Sequence, residues 1–291
     1  MIRPRRSLLF MPGSNPRALD KARSLPVDGV ILDLEDAVAP EAKDTARDLI
    51  GRTIAAGGFG SREVMIRING LDTPWWGDDL AMAARARPDG IVVPKVSSVA
   101  DLAQVAERLA AADAPGTLKV WAMIETALAL LHVEALSATA QQPASRLAGY
   151  IMGPNDIARE TRIRMVPGRS PMLAFYTTCV LAAHAYGLEI LDGPFSDFSD
   201  AEGFAAECAQ SRDMGFDGKT LIHPSQIEAC NAAFTPPPHE VAQARAIVAA
   251  FERPENAGRG AIQLDGRMVE RLHAEIARRT LAIADAIAAK G

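Results

Sequence analysis

Three cysteines in 291 residues, Cys179, Cys208 and Cys230, are too few for a disulfide scaffold, and none forms a CxxC pair. Each falls in a helical-looking stretch, where a small buried hydrophobe is the expected role. Metal motifs built on histidine are missing too: no HxH, HExxH or Cys/His spacing offers a zinc site. No GxGxxG occurs, which removes the phosphate turn of a dinucleotide-binding sheet. No run approaches the roughly 18 apolar residues of a membrane-spanning helix. LLFM near the start is cut at once by PGSNP, so no signal-peptide core is expected either. The reading is of a cytoplasmic protein with no membrane partner. Arg3, Arg5 and Arg6 form too short a basic cluster, without interleaved aromatics, to serve nucleic acid.

What is present is an ordinary globular composition, 48% apolar with a formal net charge of −5. Short β-like runs recur at 7–10, 30–34, 64–68, 91–95, 120–124, 147–152, 188–191 and 216–222. Several are almost wholly apolar and do not alternate, as expected of parallel strands covered on both faces. Helical stretches lie between them. Asn15 and Ser98 are expected N-caps, and Pro16 suits a first helical turn. Eight strand–helix units predict an α/β fold, a (β/α)8 TIM barrel over 1–234. TPPPHE then punctuates the chain. Residues 235–291 read as a C-terminal helical extension, with two helices flanking a glycine-rich lid loop that holds one short β-like piece.

Function in such a barrel gathers at the C-terminal ends of the strands. Those ends carry Pro12–Asn15, Asp33, Glu35, Asp36, Arg67, Asn69, Lys95, Glu125, Asn155, Asp156, Asp192 and His223. Glu125 and Asp156 close adjacent strands. Mg2+ takes one or two protein carboxylates and leaves positions for water and substrate oxygens, which this pair would supply. The competing role is a pair of salt-bridging surface carboxylates. Arg67, at the end of a buried strand, needs an anionic partner: a substrate carboxylate or enolate, or a fixed clamp on Glu35 or Asp36. Glu35 and Asp36 are expected to accept hydrogen bonds from metal-bound water or to orient Arg67 and Lys43. Lys95 would act on substrate or pair with an acid to hold the mouth together. His223 either takes part in catalysis or anchors the last loop. PGSNPR is a turn before a helix, where backbone N–H groups and Arg17 would grip phosphate.

The segments LFMPGSNPRALDKA, GVILDLEDAVAPEAK, VMIRINGLDTPW, DGIVVPKV, MIET, MGPNDIA, GFDGKTLIHPSQI and LDGRM, in this order, resemble the citrate lyase beta-subunit-like family. That family lies within the HpcH/HpaI aldolases and malyl-CoA lyases, and the resemblance runs from about residue 5 to 288. GPND and the long tail look most like the malyl-CoA, β-methylmalyl-CoA and citramalyl-CoA lyases. The resemblance implies a Mg2+-dependent barrel, with Mn2+ as a substitute, acting on a CoA thioester. The expected reaction splits a 3-hydroxy dicarboxylic acyl-CoA reversibly into an acyl-CoA and a small 2-oxo acid, glyoxylate or pyruvate.

By motif, Glu125 in MIET and Asp156 in GPND match the metal ligands, and Arg67 in RIN the substrate-binding arginine. Asp265 in LDGRM matches an acid/base that a neighbouring subunit delivers, and Arg17 and Lys21 match positions near the CoA phosphates. A homo-oligomer, trimer or hexamer, is implied. Ser97 departs from the glutamate that many relatives carry after PKV. Malyl-CoA thioesterase, a 2-oxo acid aldolase without CoA, a citrate lyase beta-type subunit and a catalytically silent interaction subunit are the alternatives.

Overall fold

The computed structural model describes residues 2–142 and 144–290. Strands and helices alternate through the first part of the chain: β1 (Ser7–Pro12), α1 (Pro16–Lys21), β2 (Gly29–Asp33), α2 (Lys43–Ala56), β3 (Glu63–Arg67) and α3 (Trp76–Ala86). They continue as β4 (Gly90–Val93), α4 (Val99–Ala111), β5 (Lys119–Ile124), α5 (Ala127–Ala138), β6 (Leu147–Met152), α6 (Pro154–Thr161) and α7 (Leu173–Ala185). β7 (Glu189–Asp192), α8 (Ala201–Met214), β8 (Gly218–Leu221) and α9 (Ile227–Phe234) complete the alternation. The eight strands pair in sequence order, all parallel, and β8 closes back on β1. The predicted barrel is thus present. α6 is an addition, a short helix that the turn-like residues of GPND concealed.

Leu8, Ile31, Met65, Val92, Trp121, Met123, Ile151 and Leu191, drawn from β1 to β7, pack together as one buried cluster. Neither face of these strands meets water, which is why their sequences do not alternate. Trp121 fills so much of the interior that a Cβ on Gly149 would stand 2.5 Å from its ring. Below it, at the N-terminal ends of the strands, Arg5 lies 5.1 Å from the Trp121 ring centroid. The same guanidinium pairs with Glu63 and with Glu189, each at 2.5 Å. This end is therefore a plug, and chemistry is left to the other end. The three cysteines are buried and free, as expected. Asn15 accepts from the Ala18 N–H at 3.1 Å, and Ser98 with Asp101 forms a full capping box, so both predicted caps are real.

The chain divides into two compact units, one spanning Arg5–Asn231 and the other formed by the residues before Arg5 with those from Ala232 onward. The second unit holds α10 (Pro238–Glu252), β9 (Ala261–Leu264), β10 (Arg267–Glu270) and α11 (Arg271–Ala288). Here the glycine-rich stretch differs from the single β-like piece expected. It is an antiparallel hairpin, Arg267 opposite Leu264 and Glu270 opposite Ala261. Asp265 and Gly266 form its tip at φ 48° and 77°, the left-handed pair that a two-residue hairpin turn requires. Ile262 and Val269 pack on Ala250 of α10 and give this unit a small core of its own. Among the described residues, no helix is long and apolar enough to cross a membrane.

Candidate active site

Asp33 and Arg67 end β2 and β3 and are direct neighbours in the ladder. Parallel register brings their side chains together, and the match is bidentate. Arg67 Nε donates to Asp33 Oδ1 at 2.7 Å, and Nη2 to Oδ2 at 2.6 Å. Asp33 also accepts the N–H groups of Glu35 at 2.9 Å and Ala37 at 3.2 Å, which folds the LEDA turn over the strand end. Arg67 Nη1 reaches Glu35 at 2.9 Å and stands 3.6 Å from Asp36. Its guanidinium carbon lies 4.7 Å from the Phe10 ring centroid. The predicted clamp on Glu35 exists, but Asp33 makes the closer pairing. The strand-end position of Asp33 predicts its place at the mouth but not this pairing.

From Glu35 the network runs on to the next strands. Lys95 follows the end of β4, and its Nζ donates to Glu35 Oε1 at 2.6 Å. Its backbone N–H donates to Glu125 Oε1 at 2.7 Å. An unbroken line of contacts, Asp33–Arg67–Glu35–Lys95–Glu125, thus crosses the ends of β2 to β5. Lys43 does not join by its charge alone: its ammonium binds the carbonyls of Leu34 at 2.7 Å and Glu35 at 2.8 Å.

Glu125 is 2% exposed. Burial pushes its carboxyl up to about 7, helped by the negative charge of Glu35 and, less, of Asp156, against the Lys95 N–H. Burial likewise raises Glu35, opposed by Arg67 and Lys95. Lys95 is lowered by burial, yet the hydrogen bond and charge of Glu35 carry it above its ordinary value. Gly153 exists for Glu125: a Cβ there would stand 2.5 Å from the Glu125 Cβ and collide with its carboxylate. Pro154 then starts α6, which lifts Asp156 into the first helical turn. Asp156 pairs with Arg159 at 2.5 Å, and that arginine side chain is 72% exposed.

Arg67, Glu125, Asp156, Asp36 and Asp33 line one cavity of about 360 Å3, completed by Phe10, Pro12, Met123, Pro194 and Ile222. Four of the predicted residues, Asp36, Arg67, Glu125 and Asp156, are thus gathered in one cavity, with Glu35 and Lys95 tied to them by contact. Among the described residues, no group of three or more His, Cys, Asp or Glu side chains is arranged to hold a metal ion. Glu125 and Asp156 line this cavity together, and two carboxylates are a donor set that would suit a hard cation keeping water in its remaining positions.

Other expectations land elsewhere. Asp192 does not reach the mouth: it is fully buried against Lys219 and Arg169, both at 2.7 Å, and Ser211 at 2.5 Å. His223 takes the anchoring role, with Nδ1 bound to Ser225 Oγ at 2.7 Å and its ring stacked on Phe198 at 4.8 Å. Arg17 and Lys21 are exposed, one turn apart on α1. Asp265 lies exposed at the hairpin tip of the other unit.

Residues 6–224 match the family model described as HpcH/HpaI aldolase/citrate lyase. A (3S)-malyl-CoA thioesterase of Cereibacter sphaeroides is 48% identical over 98% of this chain and 96% of its own. An L-malyl-CoA/beta-methylmalyl-CoA lyase of the same species is 36% identical over 92% and 91%. Among solved structures, the protein CitE from Mycobacterium tuberculosis, in complex with magnesium, acetoacetate and coenzyme A, aligns with TM-score 0.76 and 29% identity, covering 97% of this chain and 98% of that one. With the closed barrel and its carboxylate-lined mouth, these likenesses make the chain an enzyme of the HpcH/HpaI aldolase/citrate lyase family.

Proposed function

We propose that the protein is a Mg2+-dependent thioesterase acting on a 3-hydroxy dicarboxylic acyl-CoA of the malyl-CoA type. The observation that carries this reading is the joint lining of one cavity by a held arginine and two carboxylates. It occurs in a chain 48% identical, almost end to end, to a (3S)-malyl-CoA thioesterase. Hydrolysis thereby takes precedence over the carbon–carbon cleavage expected from sequence.

Glu125 and Asp156 fit a bound Mg2+. Each is a hard oxygen donor lining the same cavity, and Glu125 is a buried carboxylate whose charge a cation would offset. Held there, the ion would polarise substrate oxygens and stabilise negative charge developing on them. Arg67 is held in place by Asp33 and Glu35 and lines the cavity, and it is proposed to meet the distal carboxylate of the acyl group without further ordering. The cavity of about 360 Å3 takes a short acyl group and leaves the bulk of CoA outside. Arg17 and Lys21, side by side on α1, are proposed to meet its phosphates.

A specific observation keeps the lyase in view: the lyase relative is 36% identical across nine-tenths of both chains. Cleavage needs a group that protonates the thioester enolate at carbon, and Asp265 is proposed for it, delivered by a neighbouring copy. Products decide between the two. Incubated with Mg2+ and malyl-CoA, the thioesterase releases malate and free CoA, whereas glyoxylate and acetyl-CoA would establish the lyase. Neither pair of products would remove both.

A further inference from the structure

We propose that Lys95 is a positioning residue that sets both halves of the mouth at once, its backbone fixing Glu125 and its side chain fixing Glu35 against Arg67. The inference rests on the reading of Glu125 as a magnesium ligand only where metal affinity is concerned.

The starting point is a backbone angle. Lys95 has φ 54°, in the left-handed region that residues with a Cβ rarely enter. Arg87 and Arg162 share this conformation, but they cap the C-termini of α3 and α6, where it is common. Lys95 closes no helix. It sits in the loop between β4 and α4, beside the cavity.

Such a conformation persists only where the surroundings over-determine it. Two contacts from Lys95 do so. Nζ is drawn to Glu35 Oε1 at 2.6 Å, and the N–H is drawn to Glu125 Oε1 at 2.7 Å. The rest of the loop is tied to the same neighbour, since Ser97 Oγ meets Thr126 Oγ1 at 2.9 Å and His132 Nδ1 meets the Ser97 carbonyl at 3.0 Å. Thr126 directly follows Glu125 and caps α5.

With Val93 held in β4 and Ser97 held by Thr126 and His132, Lys95 reaches an extended φ by rotation of the 94–95 peptide, which turns its N–H away from Glu125. The ammonium group therefore acts at a distance through its own backbone. Because Glu35 also touches Arg67 at 2.9 Å, the arm links the anion-binding arginine to the carboxylate on β5.

The two roles separate by substitution. Lys95→Gly loses the arm but adopts the left-handed angle freely. Lys95→Met loses the arm and keeps a Cβ, so its backbone relaxes. Mg2+ titration by calorimetry, without substrate, is expected to give an affinity for Lys95→Gly within about threefold of the native enzyme and a loss of about tenfold for Lys95→Met. Exchange of the residue-95 amide hydrogen is expected to be slow in the native and glycine proteins and at least about tenfold faster in Lys95→Met.

Equal Mg2+ affinity in Lys95→Met and native protein would overturn the inference and leave the metal reading intact. If native protein binds no Mg2+, the metal reading fails instead, and amide exchange decides alone. A fast amide only in Lys95→Met upholds the latch, and equal exchange in all three proteins removes it.

Discussion

A carboxyl group 2% exposed, disfavoured as an anion first by burial and then by the charges of Glu35 and Asp156, gains more from being charged once a cation arrives. Glu125→Gln should therefore leave the metal-free protein at least as stable as the native one, with melting temperature unchanged or higher. It should cut Mg2+ affinity and turnover by at least about a hundredfold, since a direct ligand matters no less than the groups that orient one. Calorimetric binding and steady-state kinetics check both, and near-native turnover would sink the metal assignment. Gly153→Ala tests the same carboxylate from its neighbour: the added Cβ has nowhere to go but into Glu125, so the side chain must move and Mg2+ affinity fall. Asp33 carries a different burden. Asp33→Ala leaves the Arg67 guanidinium with Glu35 as its close partner, at a cost of about 3 kcal/mol in unfolding free energy. The KM for the acyl thioester should rise as the arginine loses its plane, and denaturant melts with initial-rate kinetics separate the two effects.

Elements differ in how much of themselves their sequences reveal. β2, β3 and β5 were legible because GVILD, EVMIR and VWAMI are buried on both faces, and burial leaves a plain compositional mark. α6 was not, since PNDIARET begins with residues that favour turns and buries only Pro154 and Ile157. The second strand of the hairpin was legible and missed: Asp–Gly between two short runs is a strong hairpin signal, and LDGR carries it. Of the site, sequence gave the strand ends that bear the charged groups. It could not give the Asp33–Arg67 pairing, because register is fixed by the closed ladder and not by either strand alone. Asp192, at a strand end like the others, turns instead to Lys219 on β8 and Arg169. Burial alone would raise its carboxyl, but those two cations outweigh it and hold it below the usual range. A depressed value means the native form releases this proton more readily than the unfolded chain. Its contribution is thus present above about pH 4, the unfolded value, and is lost as pH falls through the native one. The stability gap between native protein and Asp192→Asn should narrow in urea melts taken from about pH 5 down to pH 2. A constant gap would show that the cluster is held by packing and not by charge.

At the scale of the whole molecule, Asp265 belongs to one compact unit and the carboxylate-lined cavity to the other. If a neighbouring copy supplies Asp265, two inactive variants can repair each other. Glu125→Gln and Asp265→Asn, each silent alone in carbon–carbon cleavage, should regain measurable cleavage when unfolded together and refolded as a mixture, because some hybrid sites combine an intact cavity with an intact aspartate. Turnover no greater than that of the separate variants would mean that every site is completed within its own chain.

The cavity itself has two sides. Asp33, Asp36, Arg67, Glu125 and Asp156 stand on the rim from β2 to β6, while Phe10, Pro12, Pro194 and Ile222 stand on the β1, β7 and β8 side. Charge on one arc and hydrocarbon on the other give the opening a compass bearing. A molecule with an ionised head and an uncharged tail can lie across it in one direction only. Direction would then be read by the ring as a whole, with no single side chain having to recognise it.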